Sequence, residues 1–124
     1  MKNKPISPFV HGLIDYGFTA VQLAVPPLLG VNKKAGNIYR ILGANLGTVN
    51  ALTAHGAGVK PLISFKTHQK IDYANVATLA LLTFHKSIRK DKKALIFHVS
   101  FLALAVAHVL LTDWEEPVTE LLDK

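Results

Sequence analysis

The chain has no cysteine, which removes disulfide frameworks, thiolate metal sites and cysteine nucleophiles. It is also short of charge: 18% of its 124 residues are Asp, Glu, Lys or Arg, against roughly 25% in soluble domains. Acidic groups are the scarcer kind, eight against fourteen basic ones, for a formal charge of +6. The basic residues gather between apolar runs instead of forming a stripe interleaved with aromatics, which excludes nucleic acid as the expected partner. The common enzyme signatures are missing as well. There is no H-E-x-x-H, no G-x-S-x-G and no phosphate-binding glycine loop. No composition shift marks a linker, so a single domain over 1–124 is expected, with halves of about 1–58 and 59–115 and an acidic tail at 116–124.

What is abundant is apolar sequence, half of all residues. It falls into four runs, at 9–30, 36–59, 71–84 and 94–114. Each reaches or approaches the ~20 residues that cross a bilayer as a helix. The last carries no Lys, Arg, Asp or Glu between Ala94 and Thr112, so it lacks the charged face of a surface helix. Pro26 and Pro27 are expected to end or kink the first helix. Ser7 and Ser64 suit N-caps. The expectation is an all-α integral membrane four-helix bundle, multi-pass and bacterial in type, with the lipid bilayer as its partner. Loops after the first and third helices hold Lys33, Lys34, Arg40, Lys86, Arg89, Lys90, Lys92 and Lys93, against Lys2, Lys4, Lys60, Lys66, Lys70 and Lys124 elsewhere. The positive-inside rule then places both termini outside the cytoplasm, with Trp114 as an interfacial anchor.

The halves share a pattern. "ISPFVHGLIDY" aligns with "ISFKTHQKIDY" at an offset of 57, agreeing at six of eleven positions. Two tandem helical hairpins in a parallel repeat are the implied arrangement. These hairpins and the triplet Ser7-Pro8-Phe9 resemble the small bacterial membrane proteins with SPW-type repeats. Phe9 stands where that family has tryptophan, and the second half has Ser64-Phe65-Lys66. The resemblance implies a small bacterial membrane protein and no catalytic residue.

The repeated H-x-x-I-D-Y puts His11 and Asp15, then His68 and Asp72, four residues apart, one helical turn apart on one face. Alternating helix directions bring His11, Asp15, His55, His68, Asp72, His108 and Asp113 towards one end, with His85 and His98 at the other. Imidazole and carboxylate suit a transition metal, with His11, Asp15, His68 and Asp72 as ligands. His55, His108, Tyr16 and Tyr73 stand behind them as cofactor contacts. Two imidazoles would also hold haem, and His–Asp pairs would relay protons. The leading expectation is therefore a metal, haem or proton site near the extracytoplasmic end. One alternative is a structural or assembly subunit whose His–Asp pairs glue helices together; another is a quinone-reactive oxidoreductase subunit. A G-x-x-x-G motif at Gly43 and Gly47 suggests a homo-oligomer or membrane partner.

Overall fold

A computed structural model describes residues 4–117. Five helices follow one another: α1 (Pro8–Leu29), α2 (Lys33–Ala51), α3 (Phe65–Leu82), α4 (Lys86–Arg89) and α5 (Lys92–Leu111). Local chemistry sets their starts. Ser7 Oγ accepts from Val10 N–H with Pro8 at the first helical position, Asn32 from Ala35 N–H, and Ser64 from Thr67 N–H. Each side-chain oxygen satisfies a donor that the first turn leaves free. Asp91 does the same for α5 through Lys93 and Ala94, and also accepts from Asn32.

The two prolines do not break α1. It runs through Pro26 and Pro27 to Leu29 and ends where Gly30 takes a left-handed conformation, φ 73°. That conformation suits glycine, and its N–H caps the carbonyls of Pro26 and Pro27.

Two isolated bridges stitch the helix ends. Ile6 pairs with Thr112, and Thr53 with Ile63. Asp113 N–H donates to Ile6 O and Ala54 N–H to Ile63 O, both at 2.8 Å. These contacts fix where α2 and α5 end relative to the starts of α3 and α1. The middle of the bundle is filled by Tyr39, Leu79, Phe97 and Phe101. Ile88 of α4 is fully buried against Ala35 and Ala94. A third cluster, Phe65, Val109 and Trp114, covers the opposite end.

The bilayer reading does not survive this architecture. Of the described helices only α5 is long and apolar enough to cross a membrane, and a third of its most apolar stretch is buried within the fold. The multi-pass topology, the lipid partner and the two-sided assignment of termini fall with that finding; residues 1–3 and 118–124, which include Lys2 and Lys124, lie outside the described segment. The reason is visible in the residues. α2 carries Lys33, Lys34, Arg40 and three asparagines, and α3 carries Lys66, Lys70 and Asp72. Run two ends as a helix at Ala51, well short of Val59. Trp114 is buried at 8% exposure and donates to Val109 O at 3.0 Å, so it is a core residue and not an interfacial anchor.

The tandem four-helix hairpin is replaced by a five-helix bundle. α4 has no counterpart in the first half, and α1–α2 packing is far more extensive than α3–α5 packing. The Gly43/Gly47 motif serves that packing within the chain. A Cβ at Gly43 would sit 3.0 Å from Leu23 Cδ2, and one at Gly47 would sit 3.0 Å from Thr19 Cγ2. The motif therefore lets α1 approach α2, and no surface for a second copy is formed by it.

Candidate functional site: a buried His–Asp cluster

His11 and Asp15 project from the first two turns of α1, and His68 and Asp72 from those of α3, through the four-residue spacing of each pair. The two faces meet. His11 Nε2 lies 3.0 Å from Asp72 Oδ2 and 3.2 Å from Asp15 Oδ2. His68 Nε2 lies 3.0 Å from Asp15 Oδ2 and 3.3 Å from Asp72 Oδ1. Each imidazole thus faces both carboxylates. His108 of α5 adds a third contact, donating from Nε2 to Asp15 Oδ1 at 3.0 Å. All five side chains are buried.

The far nitrogens decide the protonation. His11 Nδ1 is 2.8 Å from Thr112 Oγ1, and that hydroxyl gives its own hydrogen to His108 O at 2.6 Å. His68 Nδ1 is 2.7 Å from Thr53 Oγ1, which donates to Val49 O, also at 2.6 Å. A hydroxyl has one hydrogen to give, so in both pairs Nδ1–H donates to the threonine oxygen. With Nδ1 protonated, an Nε2 facing two carboxylates must carry a proton too, or meet a cation. Without a metal, His11 and His68 are therefore imidazolium ions, and the four residues form a neutral set of two cations and two anions.

The titration directions agree with this geometry. Burial opposes the charge of His68, but its bonds to Asp15 and Asp72 and their charges outweigh that and raise its pKa to about 9. His11 is raised against the same burial by bonds to the same two carboxylates. Burial pushes Asp15 up, yet hydrogen bonds from His108, His11 and His68 hold it well below the ordinary carboxylate range. Asp72 is lowered by His11 and His68 in spite of burial and of the Asp15 charge beside it.

Aromatic rings seal the cluster. His108 stacks on His11 with centroids 3.9 Å apart. Trp114 and Phe65 meet His11 edgewise at 4.8 and 5.5 Å. Water exclusion strengthens each charge-assisted bond within.

The other residues singled out from the sequence do not join in this way. His55 is 1% exposed and lies against the cluster, its ring 5.7 Å from that of His68. It donates from Nε2 to Asn50 Oδ1 at 2.7 Å, and Nδ1 accepts from Ala57 N–H. Burial and the nearby charges of His68 and His11 depress its pKa to about 4, so it stays neutral. Tyr16 donates to Ala57 O at 2.8 Å, outside the cluster. Tyr73 is half-exposed and accepts from Gln69. Haem does not fit either: the His11 and His68 rings are 5.2 Å apart, edge to face, with no space for a porphyrin between them.

Thr53, Thr112 and Asn50 were not legible as members of the site. Asn50 donates to Gly12 O at 2.8 Å and holds His55, so it braces α1 against α2. A mid-chain threonine gives no sequence signal for such a role; only the end-to-end bridges put Thr53 and Thr112 beside the rings.

His11, Asp15, His68 and Asp72 each offer one ligand atom within 4.8 Å of the others. The cluster is geometrically compatible with a metal site. No family model, curated protein or solved structure matches this chain.

Proposed function

We propose that this chain is a structural component in which the His–Asp cluster is an interhelical clamp. The observation that supports the reading most directly is the bonding of both rings: each of His11 and His68 is satisfied at both nitrogens, by a threonine on one side and two carboxylates on the other. No ring nitrogen of His11 or His68 is left without a partner. The bonds tie α1 to α3 and to the end of α5, and Thr53 brings in the end of α2. The charges balance, which is the condition for retaining ions in a low-dielectric interior. The same facts correct the proton relay, as the single membrane-length helix among the described residues corrects its membrane setting. A relay needs a neutral acceptor nitrogen open to a proton path, and neither His11 nor His68 offers one. Nitrogen NMR of the imidazoles at neutral pH tests the clamp: four protonated ring nitrogens on His11 and His68 support it, and a bare Nε2 on either overturns it.

One observation favours a second reading, in which the same four side chains hold a single transition-metal ion. Around one oxygen each of Asp15 and Asp72, N···O separations of 3.0–3.2 Å are close to the roughly 3.3 Å edges of a tetrahedron with bonds of about 2.0 Å, as for zinc with nitrogen or oxygen ligands, while His68 meets Asp72 through its other oxygen. Thr53 and Thr112 hold Nδ1 as the protonated nitrogen, which is how an orienting partner prepares Nε2 to bind metal. Elemental analysis after dialysis against Zn²⁺ separates the two. One equivalent in the native chain and none in His11→Ala/His68→Ala supports a metal centre. A metal-free native chain leaves the clamp alone.

A further inference from the structure

At the end of the bundle away from the cluster, the loop between α1 and α2 meets the connection from α3 through α4 to α5. An open pocket of about 800 Å³ lies there, within the roughly 300–1,000 Å³ of small-molecule sites. Four cations line it, Lys34, Lys86, Arg89 and Lys90, against one carboxylate, Asp91. The fold holds them there. Ile88 is fully buried against Ala35 and Ala94 and pins the inner side of α4. Lys86, Arg89 and Lys90, three and four residues apart, therefore share its outer side. Asn32 donates from Nδ2 to Ser87 O at 2.6 Å and to Asp91 Oδ2 at 2.9 Å. Those bonds fix the start of α2, and Lys34 with it, beside α4.

The bonding of these groups is one-sided. Asp91 accepts from Asn32 and from the Lys93 and Ala94 N–H groups, so the single acceptor charge is spent within the protein. The donors are not spent. Among the described residues, the ion pair that a lysine or arginine makes is Lys66–Glu115, at the other end of the bundle. Arg89 gives Nε–H to Phe84 O at 3.0 Å, and its two terminal nitrogens have no partner among the described residues. All four cations are exposed, and such a concentration of one sign draws anions. Charge does not explain Phe84, which lines the same pocket and is 75% exposed. A ligand with several negative charges and a flat ring would meet both features. Phosphates match the fork of Arg89 and the point charges of the lysines, and a nucleobase stacks on an aromatic face.

We propose that this pocket binds a nucleoside polyphosphate, its phosphates among Lys34, Lys86, Arg89 and Lys90 and its base against Phe84. The proposal goes beyond the clamp and uses none of its residues. The test is an NMR titration of the native chain, with EDTA present, by adenosine triphosphate, inorganic triphosphate and citrate, read at the amides of residues 84–91. Saturable shifts are expected with both phosphates, with citrate weaker than either. The nucleotide should bind at least about fivefold tighter than triphosphate, the scale of stacking one base. Phe84→Ala, at an exposed position, removes that preference. Arg89→Gln/Lys90→Gln weakens both phosphates at least about tenfold, the scale of losing two charge-assisted bonds. Lys60→Gln/Lys70→Gln removes the same charge at the other end and leaves binding within about twofold. Equal affinity for nucleotide and triphosphate, citrate binding as tightly as triphosphate, equal losses in the two double variants, or no saturable shift overturns the proposal.

Discussion

His68 and His98 are both fully buried, both bonded at both ring nitrogens, and lie towards opposite ends of the same bundle. Their fates differ. His68 faces two carboxylates and is held as a cation, with its pKa raised to about 9 in spite of burial. His98 accepts at Nδ1 from Tyr39 O–H at 2.5 Å and donates from Nε2 to Leu79 O at 2.8 Å. Burial lowers its pKa, and the carbonyl of Leu79 offsets only part of that. Solvent exposure is the same at both positions. What separates them is the charge of the partner: a carboxylate repays the desolvation of an imidazolium, and a hydroxyl or carbonyl does not. The charged end is a clamp among ions, and the neutral end is an ordinary polar bond within a hydrophobic core.

The sharpest way to break this comparison is to neutralise one carboxylate. Asp15 accepts from three histidines, so Asp15→Asn leaves two buried cations facing Asp72 alone. A loss of about 3–5 kcal/mol is expected in urea denaturation, the scale of breaking a buried ion pair from one side. A loss under 1 kcal/mol would mean that the rings are not charged. Tyr39→Phe makes the corresponding test at the neutral end. It strands His98 Nδ1 and is expected to cost about 1–3 kcal/mol, clearly less than Asp15→Asn.

The pH profile sets the two ends against each other in one experiment. His11 and His68 have raised folded-state pKa values, so their contribution is complete below the unfolded value of 6.5 and is lost as pH rises through about 9 for His68. His55 and His98 have lowered values. As pH falls below 6.5 the unfolded chain takes up protons first, and stability declines, down to about 4 for His55. Asp15 and Asp72, lowered from 3.8, add stability above that value and lose it in more acid solution. Stability is therefore expected to peak near pH 6.5. Urea midpoints at pH 4.5, 6.5 and 9.5 check this; a midpoint still rising at pH 9.5 would contradict charged His11 and His68.

The smallest expected effects come from two glycines on α1. A Cβ at Gly12 would lie 2.6 Å from His55 Cε1 and 2.8 Å from Ala57 Cβ, whereas one at Gly17 would meet nothing within 4 Å. Gly12→Ala is expected to destabilise by about 1–3 kcal/mol through overpacking against the cluster's flank. Gly17→Ala is expected to stabilise by about 0.5–1 kcal/mol, because alanine favours the helix at no steric cost. Equal thermal shifts from the two substitutions would show that His55 moves aside freely.

Much of the site could be read before the structure, and the bilayer could not be read correctly at all. The caps at Ser7 and Ser64 and the four-residue spacing of each His–Asp pair are local signals, and local chemistry is what a sequence carries best. That the two pairs share one end followed from alternating helix directions. Thr53 and Thr112 stayed hidden because a threonine that bonds back to the carbonyl four residues earlier looks like any other helical threonine. α4 stayed hidden because four residues have no period. The membrane reading went astray on α2, whose glycines serve packing within the chain: Gly43 and Gly47 receive Leu23 and Thr19 of α1.

The ring of bonds also imposes an order on assembly. Its histidines and threonines come from positions 11, 53, 68, 108 and 112, and the bond between His11 and Thr112 spans 101 residues. α1 and α2 are neighbours in sequence and pack together most extensively, so they can meet while the chain is still being made. Asp15 receives its full set of donors only after residue 108 has emerged and α5 has docked. Until that moment the nascent bundle carries an acid with too few partners and an open seam along α1. Contacts of such long sequence separation close late, and here the last of the described helices is the one that completes the lock.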